Sequence, residues 1–436
     1  MLAGSLTCKA ADSSGDEHWD AEFGVPGLSH QVLVLDWTDS GLYGGGTFTN
    51  AGGIEAARSA LWDGIAWSSL GRGLAGMTRP IGTSVAALGA AGDGGDLCAT
   101  GNFSKAGSAD VSNIARWDGA DWQPLGFGLD DIAFALAVTE RDVFAGGHFV
   151  FAGGQRVNHV ARWDGTNWWA LAGGVGAPAT APLPTVFALL VQGGDLYVGG
   201  RFHSAGGIGA TDIARWDGTN WWSLGDGVSG QVHDLAFMGD SLYACGQFLR
   251  AGSIQVAHVA RWDRTDWHSL NATFEGTFGL VVLRSLAVSG QDLYLGGDFT
   301  NVAGATAQGV ARWDGQRWWG LGSGVSGVYA LAATGSELFV GGHFDTAGGR
   351  PSRNIALWHI PHSLEVSRSG DQVRLSWPAT GSNYVVEATA SLHEPVWQRL
   401  DQTPVLEGNR LTVSEPLSTT QRLYRLRKSW PPGGGQ

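Results

Sequence analysis

LYVGGRFHSAGG at residues 196–207, followed by IARWDGTNWWSLGDG at 213–227, is the stretch that decides the fold. Short apolar or β-branched runs alternate in it with Gly, Asp and Asn, the pattern of strands joined by tight turns. The stretch recurs along the chain. With a preceding run it gives one consensus: V-x-A-L-A-V, a turn, L-Y-V-G-G-x-F-T-x-A-G-G, a loop, then I-A-R-W-D-G-x-x-W-W-x-L-G-x-G. Phe48, Phe103, Phe149, Phe202, Phe248, Phe299 and Phe344 mark the G-x-F step, at spacings of 55, 46, 53, 46, 51 and 45 residues.

Four short strands in such a period make the blade of a β-propeller. The chain ends set the number of blades. The last repeat stops at Ile355-Ala-Leu-Trp358-His and lacks its W-x-x-L-G strand, while the chain opens with His18-Trp19-Asp-Ala-Glu-Phe23-Gly, which reads as that strand. The fold class is therefore all-β, a seven-bladed β-propeller of four strands per blade, with an N-terminal strand closing the last blade and leaving no long free sheet edge. The small residues of V-x-A-L-A-V suit the crowded axis, and the bulky Trp of the last strand suits the widening gap between outer edges. Links from one blade to the next alternate in length, with extra residues at 71–83, 172–184 and 271–282.

Residues 361–430 lose the repeat. LEVSRSG, QVRLSWPA, YVVEATAS, WQRLDQTP, NRLTVSEP and QRLYRLRK alternate with period two and read as about six strands of a small sandwich of immunoglobulin or fibronectin III type. The expected organisation is a disordered lead-in at 1–16, the propeller at 17–360, the sandwich at 361–430 and a flexible tail at 431–436.

Composition agrees and narrows the function. Gly at 69 residues and Trp at 21, with 43% hydrophobic residues, describe a folded chain rich in turns and aromatic packing. A formal net charge of −13 without a basic stripe argues against nucleic acid as a partner. No run approaches the roughly 18 apolar residues of a membrane span, so no membrane insertion is expected. The opening residues have neither a basic region nor an apolar core, so a signal peptide is absent or trimmed. Of Cys8, Cys98 and Cys245, the last two fall in repeats a propeller holds apart, so no structural disulfide is expected.

The conspicuous repeated residues read as fold. Asp in W-D-G accepts backbone N–H bonds in a hairpin turn while Gly supplies a positive φ. Seventeen of the 21 Trp sit at repeat positions and are read as packing between blades, leaving Trp37 as the one propeller Trp outside the consensus. One Arg per I-A-R-W step pairs with a nearby acid or stacks on Trp. The G-G doublets lie within strands, so they mark close backbone packing and not a phosphate cradle.

Function is sought where the repeat varies. The x of G-G-x-F is Thr47, Asn102, His148, Arg201, Gln247, Asp298 and His343, with His203 and Asp345 just beyond; the x of V-x-A-L-A-V is Leu33, Ala86, Phe134, Phe187, His233, Arg284 and Tyr329. Both sets fall where the first strand begins and the second ends, on one face around the central opening. The candidate ligand-binding residues are His148, Arg201, His203, His233, Gln247, Arg284, Asp298, Tyr329, His343 and Asp345. His148, His203 and His343 with Asp298 and Asp345 form either a metal or acid/base cluster or a solvated rim. No spacing singles out a catalytic triad or carboxylate pair.

The repeats quoted above resemble those of secreted bacterial propellers of the kelch and galactose-oxidase-like group, and are similar to those of the fungal cortical cell-polarity marker family. The likeness covers residues 17–360 and implies an extracellular or surface location and a binding role. No transmembrane anchor of the fungal kind is present, and the copper ligands and modified Tyr of galactose oxidase have no counterpart, so neither role is carried over. LSWPAT at 375–380 and RLYRLR at 422–427 resemble accessory sandwiches of secreted bacterial proteins. The expectation is a non-enzymatic binding or scaffold protein, without metal or cofactor, that takes a glycan or protein partner on one face. A self-associating surface-layer or filament subunit and a polysaccharide hydrolase or lyase are the alternatives.

Overall fold

The computed structural model describes residues 15–80, 82–90, 96–361, 364–378, 384–391, 396–408, 410–418 and 422–428. The lead-in through residue 14, with Cys8, and the tail beyond 428 lie outside the described residues.

Among the described residues, seven antiparallel sheets repeat one strand order. In blade 1, Val32–Thr38, Gly41–Gly46, Ser59–Trp62 and Trp67–Ser69 lie side by side in chain order. Blade 4 uses Thr185–Gln192, Asp195–Arg201, Ile213–Trp216 and Trp221–Ser223; blade 5 uses Val228–Met238, Ser241–Ala251, Val259–Trp262 and Trp267–Ser269. The first strands of successive blades pack against each other in cyclic order, Val328–Ala333 of blade 7 returning to Val32–Thr38. The architecture is the β-propeller expected, with the small-residue strand innermost.

Blade 7 contributes three strands from the end of its repeat, and Trp19 bridges Trp358 on the open edge. The indole bonds identify Trp19 as the outer-strand residue. Trp122, Trp168, Trp221, Trp267 and Trp318 donate Nε1–H to the carbonyls of Leu70, Leu125, Leu171, Leu224 and Leu270 of the preceding blade at 2.8–3.1 Å; Trp19 donates to Leu321 at 3.1 Å. Trp67 is the exception. The segment before it reads W-D-A-E-F instead of W-x-x-L, Phe23 packs near its ring, and its buried Nε1 has no acceptor among the described residues.

The first glycine of each doublet is an inter-blade contact. A Cβ added to Gly45, Gly146, Gly199, Gly296 or Gly341 would lie 2.4–2.7 Å from the first Val of V-x-A-L-A-V in the next blade. The turn aspartates behave as read: Asp164 Oδ1 accepts from the backbone N–H of Thr166 and Asn167 at 2.9 and 2.7 Å, and the other five copies match. Arg116, Arg162, Arg215 and Arg312 pair with Asp96, Asp142, Asp195 and Asp292. Cys98 and Cys245 are buried and free.

Three other aspartates link blades from the inside, and no repeat motif announces them. Asp36 accepts from Ala90 N–H at 3.1 Å, Asp212 from Gly230 N–H at 3.0 Å and Asp234 from Leu286 N–H at 2.7 Å, each in the next blade. Burial pushes each carboxyl up from 3.8 to about 6. A raised folded-state pKa means that the native chain holds protons the unfolded chain has released between about pH 4 and 6. Stability therefore falls as pH rises through that window, by about 1.4 kcal/mol per group for each pH unit crossed. The turn aspartates act oppositely, since backbone donors lower their pKa and their contribution is lost below about pH 4. Urea midpoints are expected to peak near pH 4 to 5 and to fall by pH 7, and Asp234→Asn flattens that decline. A midpoint that rises steadily from pH 4 to 7 contradicts the assignment.

The C-terminal unit is a sandwich of two antiparallel sheets. Glu365–Ser369, Gln372–Pro378, Arg410–Pro416 and Val405–Glu407 form one, in that order, and Gln398–Arg399, Tyr384–Thr389 and Leu423–Lys428 the other. Leu375, Trp377 and Val413 meet Val386 in its core, and buried Glu387 pairs with Arg425 and Arg427 at 2.6 and 3.0 Å.

Candidate functional site

The variable position of the inner strand is a structural singularity in every blade. The pairing of first and second strands slips by one residue at Leu33, Ala86, Phe134, Phe187, His233, Arg284 and Tyr329. Each is the extra residue of a β-bulge, set where the second glycine of the doublet closes on the strand: a Cβ on Gly46 would come within 2.1 Å of the Gln31 carbonyl. A bulge re-aims its side chain. Here the seven half-buried side chains line one end of the axis.

From blade 3 to blade 7 they touch. His148 meets the edge of Phe134 at 5.0 Å, Phe134 packs on Phe187 at 5.8 Å, and Phe187 on His233 at 5.7 Å. His233 donates Nδ1–H to the Leu283 carbonyl at 2.7 Å, which places the ring beside the next bulge. Arg284 then pairs with Asp298 at 2.7 Å and lies 5.0 Å above the Tyr329 ring. Burial depresses the pKa of His148 and His233; Arg79 and Arg201 add to the effect at His148, and Arg284 at His233. Both imidazoles are neutral near pH 7.

The remaining candidates are dispersed. His203 of blade 4, Gln247 of blade 5 and His343 and Asp345 of blade 7 are exposed on the surface. The three histidines and two aspartates do not converge, and among the described residues no group of three His, Cys, Asp or Glu is arranged to hold a metal ion. The polar rim is also less free of the fold than its variety suggests. Asn102 is buried and grips the link at 71–83, donating to the carbonyls of Arg79 and Gly82 and accepting from Thr78 and Arg79 N–H. Arg201 donates to the Leu183 carbonyl at 3.2 Å and so holds the link at 172–184. These residues differ because the links they hold differ. Arg201 and Arg284 each keep a buried Nε–H without an acceptor among the described residues.

Apolar exposure on this face gives no repeat signal. The three long links each add a short strand to a ribbon of the following blade, Leu74–Ala75, Val175–Gly176 and Phe274–Glu275. Beyond those strands they raise Met77, Leu183, Phe278 and Leu280 into solvent; Phe278 is 98% and Leu183 76% exposed. Phe127, Phe151 and Leu249 are exposed on the same side. On the opposite face, where the D-G turns lie, Ile65 is the one exposed aliphatic among the described residues, and the other exposed large side chains are indoles.

Two readings of tryptophan change. Trp37 stacks on Phe339 at 5.3 Å and 11°, so it packs blade 1 against blade 7. Trp169, Trp222 and Trp319 belong to the repeat but are 49%, 49% and 37% exposed, with Nε1–H held by the turn aspartates Asp164, Asp217 and Asp314 at 2.6–2.7 Å. They are surface platforms instead of inter-blade filling.

No protein-family model matches the chain, and a search of curated proteins returns no match. Solved structures similar to it include the computationally designed protein Ika8, 16% identical over 76% of this chain and 96% of that one, with a TM-score of 0.42. YCF48 bound to a D1 peptide is 13% identical, covering 83% of this chain and 99% of that chain at a TM-score of 0.46. The extracellular domain of the hybrid two component system BT4673 from B. thetaiotaomicron is 11% identical over 76% of this chain and 48% of its own, at 0.34.

Proposed function

We propose that this chain is a non-enzymatic binding or scaffold protein whose bulge face docks a protein partner. One observation carries the reading: the exposed aliphatic and phenylalanine side chains gather on the face that also bears the ring of bulges. Contiguous exposed apolar surface marks interaction sites in soluble proteins, and aromatic side chains with Arg dominate binding energy at their centres. The polar groups that meet in the ring are paired, Arg284 with Asp298 and His233 with a backbone carbonyl, an arrangement suited to presenting a surface rather than moving protons. An extracellular or surface location, implied by the likeness of the repeats, and a spacer or docking role for the sandwich belong to the same proposal.

The test is a cross-linked capture from the source cells with the full chain and the triple variant Leu183→Asp, Phe278→Asp, Leu280→Asp. These side chains are exposed, so the melting temperature is expected to stay within about 2 °C of wild type. Affinity for the captured protein is expected to fall at least about tenfold, while Ile65→Asp on the opposite face leaves it unchanged. Equal capture by the triple variant, or loss through Ile65→Asp, overturns the assignment of the face.

A further inference from the structure

We infer that the cleft between blades 4 and 5, on the face opposite the bulges, binds a neutral pyranose ring of a glycan. The cleft has a volume of about 450 Å³, within the range of small-ligand sites. One wall is Trp222, half exposed and fixed in plane by its bond to Asp217. Tyr197 and Phe237, edge to face at 5.1 Å, form a second apolar surface. Arg215, Asp195, Gln192 and Arg264 supply the polar groups around them.

The cleft arises where the repeat is broken in two places at once. Phe237 stands where five of the other blades have Ala or Val and blade 1 has Trp37. Arg264 stands where the other five D-G turns carry a glycine at φ of 90–98°; it adopts φ 84°, a conformation that disfavours any side chain. The turn therefore places a guanidinium at the mouth of this cleft at a conformational cost that the glycine turns avoid. The related Trp319 platform differs again, because Arg317 lies 3.7 Å above its ring and covers it, whereas the guanidinium over Trp222, that of Arg215, stands off at 5.6 Å.

The chemistry of the walls selects the ligand class. A flat, half-exposed indole stacks on the C–H face of a pyranose, and planar Arg, Asp and Gln groups at the edge can bond vicinal hydroxyls in pairs. Arg215 is already matched by Asp195 at 3.0 Å and Arg264 by Asp240 at 2.9 Å. The site thus offers remaining N–H donors and carboxylate acceptors without excess positive charge, which favours a neutral sugar over an anion.

Titration calorimetry and indole fluorescence with maltotriose, cellotriose, xylotriose and mannotriose, up to about 10 mM, test the site, with glucuronic acid and adenosine monophosphate as the charged and planar comparisons. At least one neutral trisaccharide is expected to saturate. Trp222→Ala and Arg264→Gly each weaken it about tenfold or more, while Trp169→Ala leaves it unchanged. Arg264→Gly relieves the turn and is expected to keep or raise the melting temperature, so its loss of binding cannot be ascribed to unfolding. The bulge-face triple variant is expected to bind sugar normally, which separates this site from the protein-docking face. No saturation by any trisaccharide, unchanged affinity in both cleft variants, or binding of the anions alone overturns the proposal.

Discussion

Trp19→Ala is expected to lower the stability of the propeller by about 3 to 5 kcal/mol, as much as removal of an outer-strand Trp from any complete blade. The residue lies near the chain start, where substitutions are usually tolerated, but its surroundings are those of a core. Its indole is 1% exposed, meets Trp358 edge to face at 5.1 Å and donates to the Leu321 carbonyl. Its backbone carbonyl accepts from Arg350 at 2.9 Å, and the next N–H, of Asp20, bonds Leu357. The ring is closed here by non-covalent bonds between residues more than 300 positions apart, so the loss also opens the seam between the outer strand and the rest of blade 7. Trp168→Ala should match it in cost, while Trp169→Ala, one residue on but half exposed, should cost less than about 1 kcal/mol. Urea unfolding of the three variants, with limited proteolysis to locate the first cut, checks the claim. A Trp19→Ala midpoint close to that of Trp169→Ala would mean that the seam is not closed by this strand.

The second large effect is expected from adding one methyl group. Gly199→Ala places a Cβ 2.5 Å from Val232 Cγ1 and 3.1 Å from Val232 Cβ, and Val232 is fully buried. Neither backbone can retreat, because the second strand of blade 4 is paired on both sides and Val232 stands at the neck of its own bulge. Overpacking of this kind costs about 1 to 3 kcal/mol, and Gly199→Val should exceed that range. The double variant Gly199→Ala, Val232→Ala restores space, so its cost should fall below the sum of the single changes, a coupling a double-mutant cycle reads directly. Gly218→Ala is the control. That glycine has nothing within 4 Å of the added Cβ and a φ of 94°, so the change introduces only backbone strain, about 1 kcal/mol. Simple additivity would show that the blades do not meet where the doublet is read to lock them.

Much of the fold is legible in the residues alone. The seven G-x-F steps, the truncated last repeat and the leading Trp19 together specify the blades and their closure, and the D-G turns and four of the five Arg of I-A-R-W hold the bonds expected of them. Periodicity misleads where one repeat is not interchangeable with another. Asn102 and Arg201 vary like free rim positions, yet each is matched to a link of its own length. Trp169, Trp222 and Trp319 share the period of the packing tryptophans, although strand alternation turns the second residue of W-W away from the neighbouring blade. The inter-blade bonds of Asp36, Asp212 and Asp234 carry no motif.

What the amino-acid sequence determined alone is everything that each blade needs equally: strand order, turn chemistry, the glycine contacts and the ring closure, since a constraint repeated seven times appears as a period. What only the tertiary structure decided is how unlike positions meet across blades. The bulge ring joins residues in different repeats, the apolar crown comes from three separate links, and the cleft exists because Trp222 of one blade faces Phe237 and Arg264 of the next. Such meetings depend on the curvature of the ring and on side-chain direction at a bulge or a strained turn, and no one-dimensional spacing records either.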